Sequence, residues 1–184
     1  MTATNRGAAR RPRDFYETPA WVTEALLDRE PLHGPVLDPA CGDGAILKAL
    51  HHRGVGPLEG NDIEPGEAEC YIRRCSDYLQ TPARPRWPAV VMNPPYRLAA
   101  EFVRVALADV LPGGKVCALL RLNFLGSSRK RLDIVGPGSQ LRAVHALSRR
   151  PSFTGDGRSD ACDYAWFVWE AGYQGTAALT VIEP

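Results

Sequence analysis

Residues 93–96 read Asn-Pro-Pro-Tyr and end an apolar run, AVVM, with a carboxamide, two rigid prolines and an aromatic ring. The Asn93 side-chain oxygen and the Pro94 carbonyl are two acceptors that suit the two hydrogens of an aromatic amino group. Pro94 and Pro95 restrict φ and the residue before each of them, so both acceptors are held in place before a substrate binds. Such acceptors favour release of the amine lone pair from conjugation and stabilise positive charge on nitrogen. Tyr96 is suited to stack on a planar base, although the same four residues also fit a simple stiff turn.

A second group of chemistry-bearing residues lies in the stretch 36–44, VLDPACGDG, where a predicted strand leads through a turn into a helix. Gly42 and Gly44 allow a ligand to approach the backbone closely. The spacing is not GxGxxG, and Asp38 and Asp43 would repel a pyrophosphate. These acids instead suit a cofactor with positive charge, such as one with an ammonium and a sulfonium. A tight turn without a ligand is the alternative.

Two more acids stand at the ends of the next two predicted strands. Asp62 follows the turn by about twenty residues, where a carboxylate is placed to accept both hydroxyls of a ribose. Asp77 ends the third strand and is placed to accept from an adenine amino group. Because the carboxyl ends of strands in a doubly wound sheet open into one crevice, we expect these acids to line one site.

These motifs together resemble the S-adenosylmethionine-dependent amino-methyltransferases, and most closely the N6-adenine DNA methyltransferases of gamma-like motif order. The resemblance covers roughly residues 15–170. It implies direct in-line transfer of a methyl group from S-adenosylmethionine to the N6 amino group of adenine in DNA, with the base flipped out of the duplex. The cofactor-binding residues that it implies are Tyr16, Thr18, Asp38, Ala40, Cys41, Gly42, Gly44, Asp62, Ile63, Asp77, Tyr78 and Asn93.

The resemblance also assigns the substrate side of the site. Phe153, in the loop SRRPSFTG, matches an aromatic that stacks on the flipped adenine opposite Tyr96; packing at the rim of the core is the alternative. Thr18 belongs to an ETP motif at the cofactor, and it is also placed as the N-cap of a helix. Basic side chains expected to contact the nucleic-acid backbone are Arg97, Arg129, Lys130, Arg131, Arg149 and Arg150, and solvated surface is their other interpretation.

Several functions remain open at this point. The NPPY motif also serves cytosine-N4, RNA adenine-N6 and protein glutamine-N5 methylation, and an inactive partner or binding subunit would keep the same fold. Enzymes of this motif order normally carry a separate target-recognition domain, whereas only fifteen residues follow Trp169. We therefore expect short or relaxed specificity, a specificity partner such as a second copy of the chain, or a substrate other than duplex DNA.

Composition narrows the class of protein. The 184 residues are 45% hydrophobic and carry a net charge of +1, and 19 of the 22 basic residues are arginine. No apolar run is long enough to span a bilayer or serve as a signal peptide, so we expect a cytoplasmic protein. The five cysteines show no paired spacing, which argues against a disulfide framework and a metal site.

The apolar pattern predicts a doubly wound α/β domain over residues 14–184, preceded by a disordered basic tail at 1–13. Strands are expected at 36–37, 58–63, 71–75, 89–92, 116–122, 141–147 and 164–169, with 177–182 as one further candidate. Helices follow the first and fourth strands, residues 112–114 form a turn, and about one helical turn joins the second and third strands. Near-continuous apolar strands between helices imply a seven-stranded, mostly parallel sheet covered on both faces.

Overall fold

The computed structural model describes residues 17–64, 66, 71–126, 128–153 and 160–183. Its strands are β1 (Val36–Asp38), β2 (Leu58–Asp62), β3 (Ile72–Cys75), β4 (Trp87–Met92), β5 (Val110–Arg121), β6 (Leu141–Leu147), β7 (Tyr164–Glu170) and β8 (Ala178–Ile182). Its helices are α1 (Ala20–Leu27), α2 (Ala45–His52), α3 (Ala99–Asp109) and α4 (Leu132–Val135), with 3-10 turns at Tyr78–Gln80, Leu122–Leu125 and Arg129–Arg131. The predicted tail, Tyr16 and most of the β2–β3 connection lie outside the described residues.

All eight strands belong to one sheet, in the order β3-β2-β1-β4-β5-β7-β6-β8. Only β7 runs against its neighbours β5 and β6; the other pairings are parallel. The doubly wound, mostly parallel sheet predicted from the sequence is confirmed, with eight strands where seven were expected. The chain order reverses between β1 and β4, and a crevice opens at such a switch point.

Strand β7 shows why the sheet is covered on both faces. Successive side chains of a strand point to opposite faces, and here both sets are buried. Trp166 donates from its indole N–H to the Val22 carbonyl (2.8 Å), which joins one face to α1. Trp169 donates to the Ile134 carbonyl (2.6 Å), which joins the other face to α4. Each aromatic therefore buries its ring and satisfies its only donor.

The predicted turn at residues 112–114 lies inside β5 rather than before it. Trp87 of β4 pairs with Val110, and Ala89 pairs with Lys115, so residues 111–114 bulge out between the two pairings. The bulge keeps its backbone hydrogen bonds because Gly113 N–H donates to the Ala171 carbonyl and Ala171 N–H to the Gly114 carbonyl, both at 2.9 Å. Gly113 has φ +75, which permits the bend.

A buried carboxylate joins the loop after α1 to the sheet. Glu30 is 2% exposed, accepts from Lys115 Nζ at 2.8 Å, lies 3.0 Å from His145 Nε2 and forms an ion pair with Arg142. Burial alone would raise the pKa of Glu30, but the hydrogen bonds from His145 and Lys115 and the charges of Lys115 and Arg142 lower it to about 2. The cluster therefore stabilises the fold only while Glu30 is ionised.

We predict that Glu30→Gln lowers the free energy of unfolding by about 3 kcal/mol at pH 7, since it leaves partly buried cations without their carboxylate. Because the folded pKa lies below the unfolded value, the wild-type protein should lose this stabilisation as pH falls from about 4.5 to 2. Urea unfolding across this range measures both effects.

Asp28→Asn is the matched control, because Asp28 lies in the same loop and forms an exposed ion pair with Arg53. Asp28→Asn should lower the free energy of unfolding by less than about 1 kcal/mol. Equal losses for the two variants would contradict a structural role of the buried cluster.

Candidate active site

A cavity of about 710 Å³ opens where β1, β2 and β4 end. Its wall contains five carboxylates, the Gly-containing turn between β1 and α2, and the Asn-Pro-Pro-Tyr motif after β4. The lining residues are Glu17, Thr18, Asp38, Ala40, Cys41, Gly42, Asp43, Ala45, Ile46, Asp62, Ile63, Glu64, Asn93, Pro94, Pro95 and Tyr96. No lysine or arginine is among the described residues that line it.

The turn after β1 is fastened to the end of β2. Gly42, with φ +48, donates its backbone N–H to Asp62 Oδ2 (2.9 Å), and Cys41 N–H donates to the Asn61 carbonyl (3.0 Å). The other oxygen of Asp62 accepts from Glu64 N–H at 3.1 Å. Asp62 therefore holds the backbone of the cavity wall as well as presenting negative charge to the cavity.

Asp38 is the most deeply buried acid of the cavity, at 1% exposure. Burial, with the neighbouring charge of Asp62, raises the pKa of Asp38 to about 8, although the hydrogen bond from Ala40 N–H (3.1 Å) acts in the opposite direction. Burial also raises the pKa of Asp62. Two carboxyls that are difficult to ionise together favour a positively charged ligand, which would relieve both.

Cys41 contributes to the wall as a neutral group. Burial and the charges of Asp38 and Asp62 raise the pKa of its thiol to about 12. A nucleophilic cysteine needs a lowered pKa, so Cys41 packs rather than reacts.

Asn93 is fixed by a long-range hydrogen bond. Its Nδ2 donates to the Thr18 hydroxyl at 3.1 Å, across 75 residues of sequence. This orients the carboxamide so that its acceptor Oδ1 is the end turned away from Thr18. The prediction that Thr18 caps α1 is wrong: Pro19 is the N-cap residue, with no side-chain cap hydrogen bond. Thr18 instead lines the cavity beside Asn93.

Tyr96 stands where the cavity meets the aromatic core. Its ring is 5.9 Å from that of Tyr164, and the Arg121 guanidinium lies over it at 4.8 Å. Burial, then the neighbouring Tyr164, raises the pKa of Tyr96 well above its usual range, so the phenol stays neutral. Neither Arg121 nor Tyr164 was singled out from the sequence.

Three predicted cofactor residues lie off the cavity wall. The Asp77 carboxylate accepts from Leu79 N–H (3.0 Å) and caps the 3-10 turn that begins at the next residue, Tyr78. Tyr78 is buried on the opposite face of the sheet and donates to Asp109 Oδ2 (2.9 Å). Gly44, with φ +77, makes room for Tyr71, whose ring would lie 2.5 Å from a Cβ at that position.

Phe153 also differs from its predicted role. It is 5% exposed, belongs to the core cluster and packs edge-on against Tyr164 with ring centroids 5.1 Å apart. It is not among the residues that line the cavity. The structure thus places Phe153 in the packing position at the rim of the core that was its alternative, and base stacking by Phe153 stays a prediction.

Of the six predicted backbone-contacting side chains, Arg131 is half-buried and the others are exposed: Arg97, Arg129, Lys130, Arg149 and Arg150. Arg131 lies over the Phe124 ring at 4.6 Å, Arg149 over the Trp21 ring at 4.4 Å, and Arg150 pairs with Asp163 at 2.8 Å. Arg131 is half-buried and donates to the Gly126 carbonyl, so it stabilises its own loop. The ion pair of Arg150 with Asp163 is exposed and therefore weak, so Arg150 can exchange Asp163 for another anion.

Sequence reasoning missed Glu17, Glu64, Ala45 and Ile46 on the cavity wall. Glu17 had a signal, since it belongs to the same ETP motif as Thr18. Glu64 lies two residues after Asp62 and had no pattern of its own.

Comparison with solved structures places the fold. A Listeria monocytogenes protein assigned to the class I S-adenosylmethionine-dependent methyltransferases superposes with TM-score 0.59 at 14% identity, over 89% of this chain and 62% of that one. A modification subunit assigned to a type I restriction enzyme of Vibrio vulnificus gives 0.63 at 15%, over 88% and 45%. The 23S rRNA methyltransferase ErmE gives 0.61 at 17%, over 87% and 70%. The chain thus has the Rossmann-like fold of class I methyltransferases, and it spans less than two thirds of the length of two of these three chains.

Other comparisons are negative. No protein-family model matches the sequence, and no curated protein matches it. Among the described residues, no helix has the length and apolar character to cross a membrane, and no cluster of His, Cys, Asp or Glu side chains has a metal-binding arrangement.

We predict that Thr18→Val lowers the free energy of unfolding by about 1 kcal/mol, because it removes the acceptor of the Asn93 amide. Thr18→Ser, which keeps the hydroxyl, should lie close to wild type. Chemical denaturation of the three proteins measures the difference.

Thr23→Val is the control on the neighbouring helix. Thr23 is fully buried, and its hydroxyl has no hydrogen-bond partner among the described residues. This variant should therefore be neutral or stabilising. A loss at Thr23 as large as that at Thr18 would show that the Asn93 contact does not matter.

Proposed function

We propose that this chain, as one catalytic domain over residues 14–184, transfers a methyl group from S-adenosylmethionine to the N6 amino group of adenine in DNA. The observation that carries the proposal is that two kinds of wall meet in one cavity. One wall presents Asp38 and Asp62, and the other presents the Asn-Pro-Pro-Tyr motif with Asn93 held by Thr18. A positively charged donor and a planar amine would then meet between them.

The residues present fit S-adenosylmethionine. Its ammonium and sulfonium suit a cavity with five carboxylates in its wall, and burial has already raised the pKa values of Asp38 and Asp62. Ile46 and Ile63 add apolar surface for a base, and the carboxylate of Asp62 or Glu64 suits a ribose. Asp77 and Tyr78 are no longer part of this set. When bound, the cofactor supplies an electrophilic methyl group on sulfur.

The chain's own residues act on the amine. The Asn93 Oδ1 and the Pro94 carbonyl accept the two amino hydrogens and stabilise the positive charge that develops as the N–C bond forms and the S–C bond breaks. The excess proton then leaves to solvent. Tyr96 supplies a stacking surface for the base. The prolines keep both acceptors fixed, so little reorganisation accompanies the reaction.

DNA is the proposed acceptor because the ETP and Asn-Pro-Pro-Tyr motifs resemble the adenine enzymes and exposed cations are available for phosphate contact. Arg97 directly follows Tyr96, and Arg129 and Lys130 follow the end of β5. Such contacts position a backbone without reading its sequence. RNA is the second candidate, supported by the similarity of the fold to a 23S rRNA methyltransferase.

We predict that isotope-labelled methyl groups will pass from S-adenosylmethionine into DNA oligonucleotides at adenine when DNA, total RNA and protein are offered in parallel. Nucleoside analysis of the product identifies the labelled base. Label in cytosine, in RNA alone or in protein glutamine would replace the proposed acceptor, and no cofactor binding by calorimetry would indicate a non-catalytic subunit.

Asn93→Ala should lower kcat about 100-fold or more in the same assay, because it removes one of the two acceptors of the amino group. Asn123→Ala is its control, since Asn123 is exposed and does not line the cavity. It should retain wild-type turnover.

We also predict that cofactor affinity rises with pH up to about 8. Without cofactor the folded protein keeps a proton on Asp38 up to that pH, whereas the unfolded chain loses it near pH 4, so the free protein loses stability between these values. A positively charged cofactor favours the ionised carboxylate and releases this proton. Below pH 8, each fall of one pH unit should weaken cofactor binding by up to about ten-fold.

Calorimetry in two buffers of different ionisation enthalpy measures the proton release directly. Asp38→Asn should bind more weakly and with a shallower pH dependence between 6 and 8 than the wild-type protein. A flat profile in the wild-type protein would show that Asp38 does not face the cofactor charge.

A further inference from the structure

Three side chains behind the Asn-Pro-Pro-Tyr motif, Arg121, Tyr164 and Asp160, form a connected network outside the cavity wall that adjoins the Tyr96 ring. Arg121 Nε donates to the Tyr164 hydroxyl at 3.4 Å, and that hydroxyl donates to Asp160 Oδ2 at 2.9 Å. The Arg121 guanidinium lies 4.8 Å from the centre of the Tyr96 ring. Donors and acceptors alternate correctly along this chain, since Tyr164 accepts from the arginine and gives its own proton to the carboxylate.

The sheet itself sets this geometry. Arg121 is the last residue of β5 and Tyr164 the first of β7, and the two are direct cross-strand partners. Strand β4, which leads into Tyr96, pairs with β5 on its other side. Burial raises the pKa of Tyr164 to about 12, so its hydroxyl keeps the proton that binds Asp160 at neutral pH.

The contacts of Tyr96 are divided between the cavity and this network. Tyr96 lines the cavity, whereas Arg121, Tyr164 and Asp160 do not. A guanidinium that is half-buried and held by Tyr164 can keep the orientation of an aromatic ring through cation–π attraction. Lysine would supply the charge without the planar, hydrogen-bonded group.

We propose that Arg121 is a positioning residue for the substrate base: held by Tyr164 and Asp160, it fixes the ring of Tyr96 on which the base stacks. This inference rests on the proposed function for the identity of the stacked group. It assigns no contact between Arg121 and the cofactor. Loss of Arg121 should therefore weaken use of the base and leave cofactor binding unchanged.

The test compares Arg121→Met and Arg121→Lys with wild type and with Arg86→Met. Arg86 is a matched control, because it lies 5.0 Å over the Trp87 ring at the opposite end of β4 from the motif. Arg121→Met should raise KM for the methyl acceptor or lower kcat by about ten-fold in total, and Arg121→Lys by less. The dissociation constant of S-adenosylmethionine should stay within about two-fold, and Arg86→Met should match wild type throughout.

A second readout does not depend on turnover. In protein with 13C-labelled tyrosine, the ring signals of Tyr96 should shift or broaden in Arg121→Met and remain in place in Arg86→Met. Unchanged Tyr96 signals, or unchanged KM and kcat in folded Arg121→Met, would overturn the inference while leaving the proposed function standing. If Arg121→Met does not fold, Arg121→Lys decides by the same criteria.

A failure of the proposed function would give a result different from a failure of the inference about Arg121. If wild-type protein labels no acceptor, the acceptor assay has failed for every variant alike, and the Tyr96 signals alone then decide whether Arg121 fixes the ring. Equal weakening of cofactor binding and acceptor use in Arg121→Met would overturn the inference, because it would indicate general damage to the cavity.

Discussion

The hydrogen bond from Gly42 N–H to the Asp62 carboxylate connects the two strand ends that form the floor of the cavity. It fixes the turn after β1 against β2, and a Gly at position 42 permits the positive φ that this requires. It also brings Asp62 close enough to Asp38 for the two charges to interact. The shape of the cavity and its preference for positive charge therefore have a common origin.

The opposite wall depends on a contact of the same kind. The Thr18 hydroxyl accepts from Asn93, so the segment before α1 is tied to the end of β4. Under the proposed function, Asn93 must present its Oδ1 to the substrate. The bond from Nδ2 to Thr18 disfavours the flipped carboxamide, in which Nδ2 would face the substrate instead. The turn after β1 and the Asn-Pro-Pro-Tyr motif are in this way each held by a hydrogen bond between residues distant in sequence.

The features that the sequence predicted depend on local patterns, whereas those that it missed depend on contacts between residues distant in the sequence. Buried strands and the acids that end them are local patterns, so β1, β2 and β4, Asp38, Asp62 and the Asn-Pro-Pro-Tyr motif were located correctly. Asp77 follows the same local rule, yet a 3-10 turn uses its carboxylate, and Tyr78 points to the other face of the sheet. Phe153 was assigned by motif position, but its environment is determined by Tyr164, eleven residues further on and part of the core. Glu30 and Arg121 had no signal, because their partners come from separate strands.

The net charge of +1 conceals a separation of charge that bears on the proposed substrate. Carboxylates line the cavity, whereas exposed cations such as Arg97, Arg129 and Lys130 lie outside its lining. A phosphate backbone would be repelled from the cavity and attracted to these cations, while a neutral base would meet no such repulsion. Under the proposed function, electrostatics alone would then require that the base leave the stack to reach Asn93 while its backbone remains outside. The charge distribution and the planar-amine geometry of the motif thus favour the same mode of binding, for reasons that are physically independent.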